Sequence, residues 1–309
     1  MADEAQLSPF VFACQGGLVL DQSTFAMQPG MALELQNFEP DISGGYRRIS
    51  GYAKWNSNIV PQTAASTEPV LMVAHFNSKV IAARGTKIYE AGTTGSWSEI
   101  DTGRTGAGRY TFFRYNLAGT DFIVWADGAN NATKYDGTTV TDINASGAPA
   151  NPKFVTGFKD HLFFAGMSST PQQITFTAPF TDNDFQTGQG AGTIKVDSNI
   201  TGLFPFRDAL FIFCEERIFK LTGSALADFA VQPVTREIGC LNGFTIQEFA
   251  GDIVFLGPDG LRTVAGTERI GDVELGTISR PVQKRFQELT DVDEFTSLVI
   301  PDKTQYRIF

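Results

Sequence analysis

Short bursts of apolar, β-forming residues recur along most of this chain, each directly after a polar turn. They recur at intervals of roughly 40 to 53 residues, through Val80, Phe122, Leu162, Leu210, Ile253 and Tyr306. A repeat of about 40 to 50 residues made of short strands is typical of a β-propeller, where a sheet buries both faces only when its neighbours stack around an axis. The spacing therefore predicts an all-β fold built from blades.

Several bursts are followed by a turn and then a further strand-like run. Such runs occur at residues 85–89, 132–135, 216–220 and 260–264. Turns such as Asp136-Gly137 favour hairpins, because Gly supplies the positive φ that these turns require. Each unit is thus predicted to be an antiparallel meander. A β-sandwich also has regular short strands, but it lacks so long a superperiod, and we predict a propeller of roughly six or seven blades.

The chain divides into a non-repeating start and a repeating remainder. Residues 1–66 lack the repeat and are predicted to form an extended N-terminal arm that helps close or decorate the propeller. Residues 67–309 are predicted to be the propeller domain. Near the C-terminus, Ser279 is expected to cap one short helix whose Val282, Phe286 and Leu289 share a face. That face either packs on the sheet or docks a partner.

Charge and composition restrict the classes of function that the protein can have. The chain has 34 acidic and 24 basic residues and a net charge of −10, which argues against a sequence-reading DNA or RNA module. The same charge suits the wall of a conduit along which double-stranded DNA slides with transient, non-specific contact, because Lys and Arg would hold its phosphates. The 27 Phe and 31 Gly agree with strands and turns.

Cysteines and the N-terminus predict where the protein is made. The three scattered cysteines, Cys14, Cys214 and Cys240, are expected to be reduced and buried, as in a reducing compartment. Asp3 and Glu4 stand where a signal peptide needs positive charge, and no apolar run approaches the ~18 residues of a membrane span. We expect synthesis in the cytoplasm and no membrane contact.

The sequence contains few candidate residues for enzyme catalysis. With only His75 and His161, the usual acid–base and three-histidine metal arrangements lack members, and His161 falls within a burst, where packing explains it. Asp182 and Asp184 are explained by a solvated turn, because further calcium ligands are missing. We therefore predict no catalytic residue, no cofactor and no metal, and a protein that is not an enzyme.

Short pieces at both ends resemble a known group of proteins. Residues 32–38 form an "A-x-x-L-x-N-F" run, which is followed by a Gly-rich turn and then, at residues 48–52, by the basic "R-x-x-G-Y" run of that group. Together with residues 276–282 and 304–309, they resemble propeller-bearing tail proteins of tailed bacteriophages. The blades between these pieces agree with that group in pattern only. The resemblance implies a structural protein of the virion, such as a nozzle, tail-accessory or neck component.

Partners follow from that resemblance. It implies a ring of identical copies around the genome-delivery channel, bound to neighbouring tail or neck proteins and located in the virion after assembly in the host cytoplasm. Tyr46, Arg47 and Arg48 follow a Gly-Gly turn in the arm and could bind carboxylates of a neighbouring subunit, or be solvated charges at a strand end. The alternative functions are a receptor- or glycan-binding propeller, or a polysaccharide hydrolase or lyase with carboxylates at the axis.

Overall fold

Consecutive antiparallel sheets follow one another along the chain. The structure, a computed structural model, describes residues 14–41, 44–62, 68–105, 108–117, 119–265 and 277–309. Asp3, Glu4 and Gly276, on which parts of the sequence interpretation depend, lie outside these ranges. Among the described residues, each sheet from residue 70 onward is built from strands that are consecutive in the chain, as predicted for a meander.

We call these sheets blades 1 to 6. Blade 1 contains β5 Val70–Phe76, β6 Lys79–Arg84, β7 Lys87–Ala91 and β8 Ser98–Asp101. Blade 2 contains β9 Thr111–Leu117, β10 Thr120–Ala126, β11 Thr133–Tyr135 and β12 Val140–Asp142. Blade 3 contains β13 Phe154–Phe158, β14 His161–Ala165, β15 Gln173–Phe176 and β16 Gly192–Lys195. Blade 4 contains β17 Ile200–Phe206, β18 Ala209–Cys214, β19 Ile218–Thr222 and β20 Ala230–Pro233. Blade 5 contains β21 Gln247–Phe249, β22 Asp252–Gly257 and β23 Gly260–Thr263, and blade 6 contains β24 Ser297–Ile300 and β25 Gln305–Ile308.

The predicted equivalence of the bursts is confirmed. All six reference residues lie on the second strand of their blade, on β6, β10, β14, β18, β22 and β25. The turn before the second strand is equally regular: Asn77 and Ser78 in blade 1, and Lys159 and Asp160 in blade 3, all have positive φ. Two consecutive residues of this kind form the tight turn whose twist suits antiparallel strands.

The bursts are continuously apolar because both faces of each second strand are buried. In blade 4, Leu210 and Ile212 pack into the core shared with blade 3, whereas Phe211 and Phe213 pack into the core shared with blade 5. Alternate residues of a strand point to opposite faces, so a sheet between two neighbours needs apolar residues at every position. Burying one such Phe contributes about 1.5–3 kcal/mol.

The sheets are arranged radially. A core lies between each pair of neighbouring blades from 1 to 5, and the innermost strands β9, β13 and β17 contact one another in turn. The all-β propeller prediction is confirmed, with six sheets among the described residues from 70 onward. Blade 5 gains a further bridge between Arg262 and Thr277 beside β23.

The arm forms two small sheets. Strand β1 Gly17–Leu18 pairs in parallel with β2 Met31–Ala32. Strand β3 Phe38–Pro40 pairs with β4 Tyr46–Arg48 as an antiparallel hairpin.

Helical structure is sparse, as predicted. The C-terminal α-helix spans Gln283–Gln287 and follows a 3-10 turn, Arg280–Val282. Further 3-10 turns are Thr187–Gln189, Gly243–Thr245, Val292–Glu294 and Pro301–Lys303. No helix in the described ranges combines the length and the apolar character that crossing a bilayer requires.

The predicted helix cap at Ser279 is wrong. The Ser279 side chain makes no capping hydrogen bond, and its Oγ instead accepts one from the backbone N–H of Leu261 at 2.9 Å. Since Ile278 N–H also donates to the Leu261 carbonyl at 2.9 Å, this segment pairs beside β23 before the helix begins. The hydroxyl therefore satisfies a strand donor in place of a helix end.

Candidate functional site

A cavity of about 880 Å³ lies where the innermost strands of the six blades converge. Residues of β5, β9, β13, β17 and β24, and of the segment 243–247, line it. The lining is mostly apolar, and Val73, Phe112 and Leu298 expose large side chains to solvent. Two facing layers of strands would not bring all six sheets to one cavity, so the cavity also establishes the radial arrangement.

Polar groups in this cavity are few and are mostly hydroxyls and amides. The cation Arg109 is already engaged: its guanidinium donates to the carbonyl oxygens of Phe295, at 2.7 Å, and Glu294, and lies over the Phe244 ring. None of the described lining residues is Asp, Glu or His. The converging carboxylates that a hydrolase or lyase would need are thus not found among them. The volume is that of a small-ligand pocket, so a path for duplex DNA would require several copies of the chain.

The two histidines occupy different environments. His161 is buried, its Nδ1 lies 2.6 Å from the Thr177 carbonyl oxygen, and its ring packs edge-on against Phe163 and Phe176. This confirms the prediction that His161 packs and bonds locally. His75 is exposed on β5. Within the described ranges, no group of three or more His, Cys, Asp or Glu side chains is placed to hold a metal ion.

Glu39 fastens the arm to blade 6. Its carboxylate is almost fully buried although it lies in a surface hairpin, and it accepts hydrogen bonds from three cations. Arg47, directly opposite on β4, donates from Nε at 2.9 Å. Lys303 donates from Nζ at 2.8 Å, and Arg307 of β25 donates from its guanidinium. The Pro40 carbonyl also accepts from Gln305 Nε2 at 3.3 Å.

These contacts set the electrostatics of the hairpin. The hydrogen bond from Lys303, with a further one from Arg47, holds the pKa of Glu39 below its ordinary value of 4.5, although burial opposes this shift. Charge-assisted hydrogen bonds favour the ionised carboxylate. Glu39 is therefore the charged centre of the contact between the arm and the last blade.

Of the three predicted interface residues, Arg47 has an intramolecular partner. It is bound to Glu39, as described, and lies 3.9 Å from Asp41. Arg48 is exposed on the same strand, and the described part of the chain gives it no ion pair. The Tyr46 hydroxyl is buried without a hydrogen-bond partner in that part. The hairpin therefore separates the three side chains instead of joining them in one site.

A second set of contacts fastens the arm to blade 1. The Asn56 amide donates to the carbonyls of Gly92, at 3.0 Å, and Gly95, at 3.2 Å. In return, Trp97 Nε1 donates to the Asn58 carbonyl at 3.0 Å. Arg84 donates to the Val60 carbonyl at 2.6 Å. The arm is thus tied to the last blade and to the first, across the seam of the ring.

Between these two anchors, the arm exposes large apolar side chains. We call residues 49–59 the strap. Ile49, Tyr52, Trp55 and Ile59 are exposed in it, and Tyr52 is 96% exposed. Together with Phe25, Leu33 and Phe38, the arm contributes seven of the seventeen exposed large apolar residues, although it is less than a fifth of the described chain. Among the described residues, the arm thus exposes a larger share of large apolar side chains than the blades do.

The sequence pattern does not mark the strap as a site. Its apolar residues stand in no regular period, so neither strand nor helix patterning selects them. The one available indication was the combination of aromatic residues with Arg47, Arg48 and Lys54 and no carboxylate throughout residues 44–62. Aromatic residues and Arg are enriched in protein interfaces.

Comparison with known proteins gives no family. No family model matches the sequence, and no curated protein matches it. Solved structures with a similar arrangement include the AfRom2 CNH domain, at 8% identity and TM-score 0.46, which covers 64% of this chain and 68% of that one. The extracellular domain of BT4673 from B. thetaiotaomicron has 12% identity and TM-score 0.48, and PorZ from Porphyromonas gingivalis 12% and 0.39.

The last two similarities cover only part of the longer chains. This chain spans 31% of the BT4673 domain and 24% of PorZ, and they cover 73% and 63% of it. PorZ is described as a bacterial surface component of the type-IX secretion system. Similarities this low carry no functional argument, and the propeller assignment depends on the sheets of the chain itself.

Proposed function

We propose that this protein is a structural subunit of a phage tail, which assembles into a ring around the genome-delivery channel and binds adjacent tail proteins. The observation that carries the proposal is the arm, which is bonded to the propeller at Glu39 and at Asn56 and whose described residues expose seven large apolar side chains. A monomer gains nothing from ordering such a surface, whereas an assembly buries it.

The rest of the molecule is consistent with this role. Each blade is a packed sheet without a described catalytic group at the axis. The chain has a net charge of −10. Few cations are therefore available to bind DNA phosphates and release their counterions, so the channel wall would not hold the DNA in place. Identical copies that contact one another through two different surfaces close into rings when the rotation per copy permits it.

Native mass spectrometry with negative-stain imaging tests the assembly. We expect one closed stoichiometry at micromolar concentration and ring-shaped particles with a central opening wide enough for duplex DNA. Antibody labelling of virions of the phage that encodes the chain should mark the tail. A protein that stays monomeric at about 50 µM, where weak interfaces form, would contradict the ring, and labelling confined to the capsid would contradict the location.

A glycan- or receptor-binding propeller is the second candidate. It is favoured by Tyr52 and Trp55, which are exposed in the strap, and by the partly exposed Trp97, whose indole is bonded to the strap at the Asn58 carbonyl. Exposed aromatic faces suit the apolar faces of sugar rings. Saturation-transfer NMR with host-surface polysaccharide distinguishes the two candidates, because binding by a monomeric protein favours this alternative.

A further inference from the structure

The strap is held in place without being covered. Ile49 N–H donates to the Asn37 carbonyl at 2.9 Å at one end, and Asn56 and Asn58 are bonded to the loop before β8 at the other. Between these points, residues 50–54 are exposed and belong to no strand or helix. An extended segment whose ends are fixed has already lost much of its conformational entropy, so binding to it costs less ordering.

The charge of the strap indicates what it binds. Arg48 and Lys54 are exposed, have no ion pair in the described part of the chain, and flank Tyr52. Residues 44–62 contain no carboxylate, whereas the whole chain carries a net charge of −10. A basic, apolar strip on an acidic protein is complementary to the acidic surface of another copy.

One acidic surface lies on the far side of the ring. At the end of blade 4, the loops that carry Asp197, Glu215, Glu216 and Glu237 meet, because Glu215 N–H donates to the Asn199 carbonyl and Cys240 N–H donates to the Cys214 carbonyl. All four carboxylate residues are exposed. We call this surface the acidic end of blade 4.

The arginines in these loops leave the surface acidic. Arg217 is bound to Asp197 at 2.6 Å, and Arg236 already has an interaction of its own. Glu215 receives a hydrogen bond from the Asn199 amide, which carries no charge. Exposed carboxylates therefore remain for a cation from outside.

We infer that the strap of one copy docks on the acidic end of blade 4 of the next copy. The strap crosses the seam between blades 6 and 1, and blade 4 is roughly opposite that seam in a ring of six sheets. Two different surfaces on opposite sides make a head-to-tail contact, which propagates around a ring. The inference depends on the proposed ring and adds the surfaces that form it.

A charge-swap series tests the contact in the full-length protein. Arg48→Glu with Lys54→Glu should weaken self-association by at least tenfold in analytical ultracentrifugation. Glu216→Lys with Glu237→Lys should do the same alone, and mixing the two variants should restore association. The matched control, Lys284→Glu with Arg285→Glu, changes the same net charge on the exposed C-terminal helix and should associate like the wild type.

The apolar part of the contact has its own control. Tyr52→Ser with Ile59→Ser should weaken association, whereas Phe180→Ser, which removes an exposed ring from a loop of blade 3, should not. A circular dichroism spectrum and a melting temperature like those of the wild type would confirm that each variant is folded.

The outcomes separate the inference from the proposed function. If the wild type forms rings that the strap variants also form, the strap inference is overturned and the ring survives. If both charge variants dissociate but their mixture does not reassociate, the strap is not paired with blade 4 and the inference fails. If the wild type is monomeric, the proposed ring itself fails.

Discussion

The blades and the arm use the same kinds of apolar residues for opposite purposes. In the blades, Phe163 and Trp125 are fully buried, whereas in the arm Phe25 and Tyr52 are almost entirely exposed. Blades bury their side chains against neighbours from the same chain, and the arm contributes one buried apolar residue, Val19, among those described. Among the described residues, buried apolar side chains are thus concentrated in the blades, and exposed ones are over-represented in the arm.

The largest expected difference between the two regions is in stability. Phe163→Ala should lower the free energy of unfolding by about 3–5 kcal/mol, because it leaves a cavity among Phe158, Phe176 and Phe229. Guanidinium unfolding followed by tryptophan fluorescence measures this loss. Phe25→Ala, the same change in the arm, should stay within about 0.5 kcal/mol of the wild type. Equal losses in both variants would show that the arm is part of the core.

The next largest effect concerns the anchor of the arm. Glu39→Gln removes the charge that Arg47, Lys303 and Arg307 share, and leaves three cations around a neutral amide. We expect trypsin to cleave after Arg48 and Lys54 several times faster, while the blades stay intact. Peptide mapping over time measures this. Glu34→Gln, at an exposed glutamate of the arm, is the control. Unchanged cleavage in Glu39→Gln would mean that other contacts, such as the Gln305 hydrogen bond to the Pro40 carbonyl, suffice to hold the hairpin.

Acid should release the same anchor. The pKa of Glu39 is lower in the folded protein than its ordinary value of 4.5, so the ionised form stabilises the folded state. This stabilisation is complete above about pH 4.5 and is lost as the pH falls through the lowered folded-state pKa. Hydrogen exchange of residues 38–48, corrected for intrinsic rates, should show this loss of protection in the wild type. Glu39→Gln should show no such step, and a step in both would assign the titration to another group.

Much of the fold could be predicted from the sequence because second strands are buried on both faces. Continuous apolar runs such as Leu210–Cys214 are conspicuous and recur at blade spacing. The innermost strands were harder to find. Strand β5, Val70–Phe76, is almost wholly apolar in sequence but alternates buried and exposed residues because its other side meets the axial cavity, so its sequence does not show which face lies in the core.

The anchor of the arm could not be predicted, because its partners are far apart in sequence. Glu39 is bonded to Lys303 and Arg307, which are 264 and 268 residues away. Nothing in the sequence distinguishes this carboxylate and these two cations from other charged residues. They meet only because the ring brings the two ends of the chain together. The pairing of Arg47 with Glu39 is more local, since the Gly44-Gly45 turn already places them on facing strands.

The smallest expected difference between the blades and the arm is in the reactivity of their thiols. Cys14 of the arm is exposed, contrary to the expectation that all three cysteines are buried, whereas Cys214 and Cys240 are buried in the blades. Burial raises the pKa of each buried thiol to about 12, so almost no thiolate is present at pH 8. We expect Ellman's reagent to react quickly with one thiol in the native protein and with three after unfolding, with Cys14→Ser as the control that loses the fast phase. Fast reaction of a second thiol would show that a core beside blade 4 opens readily, because Cys214 packs between blades 3 and 4 and Cys240 between blades 4 and 5. Slower reaction of Cys14 in rings than in dissociated subunits would place the start of the arm in the contact between copies, beyond the strap.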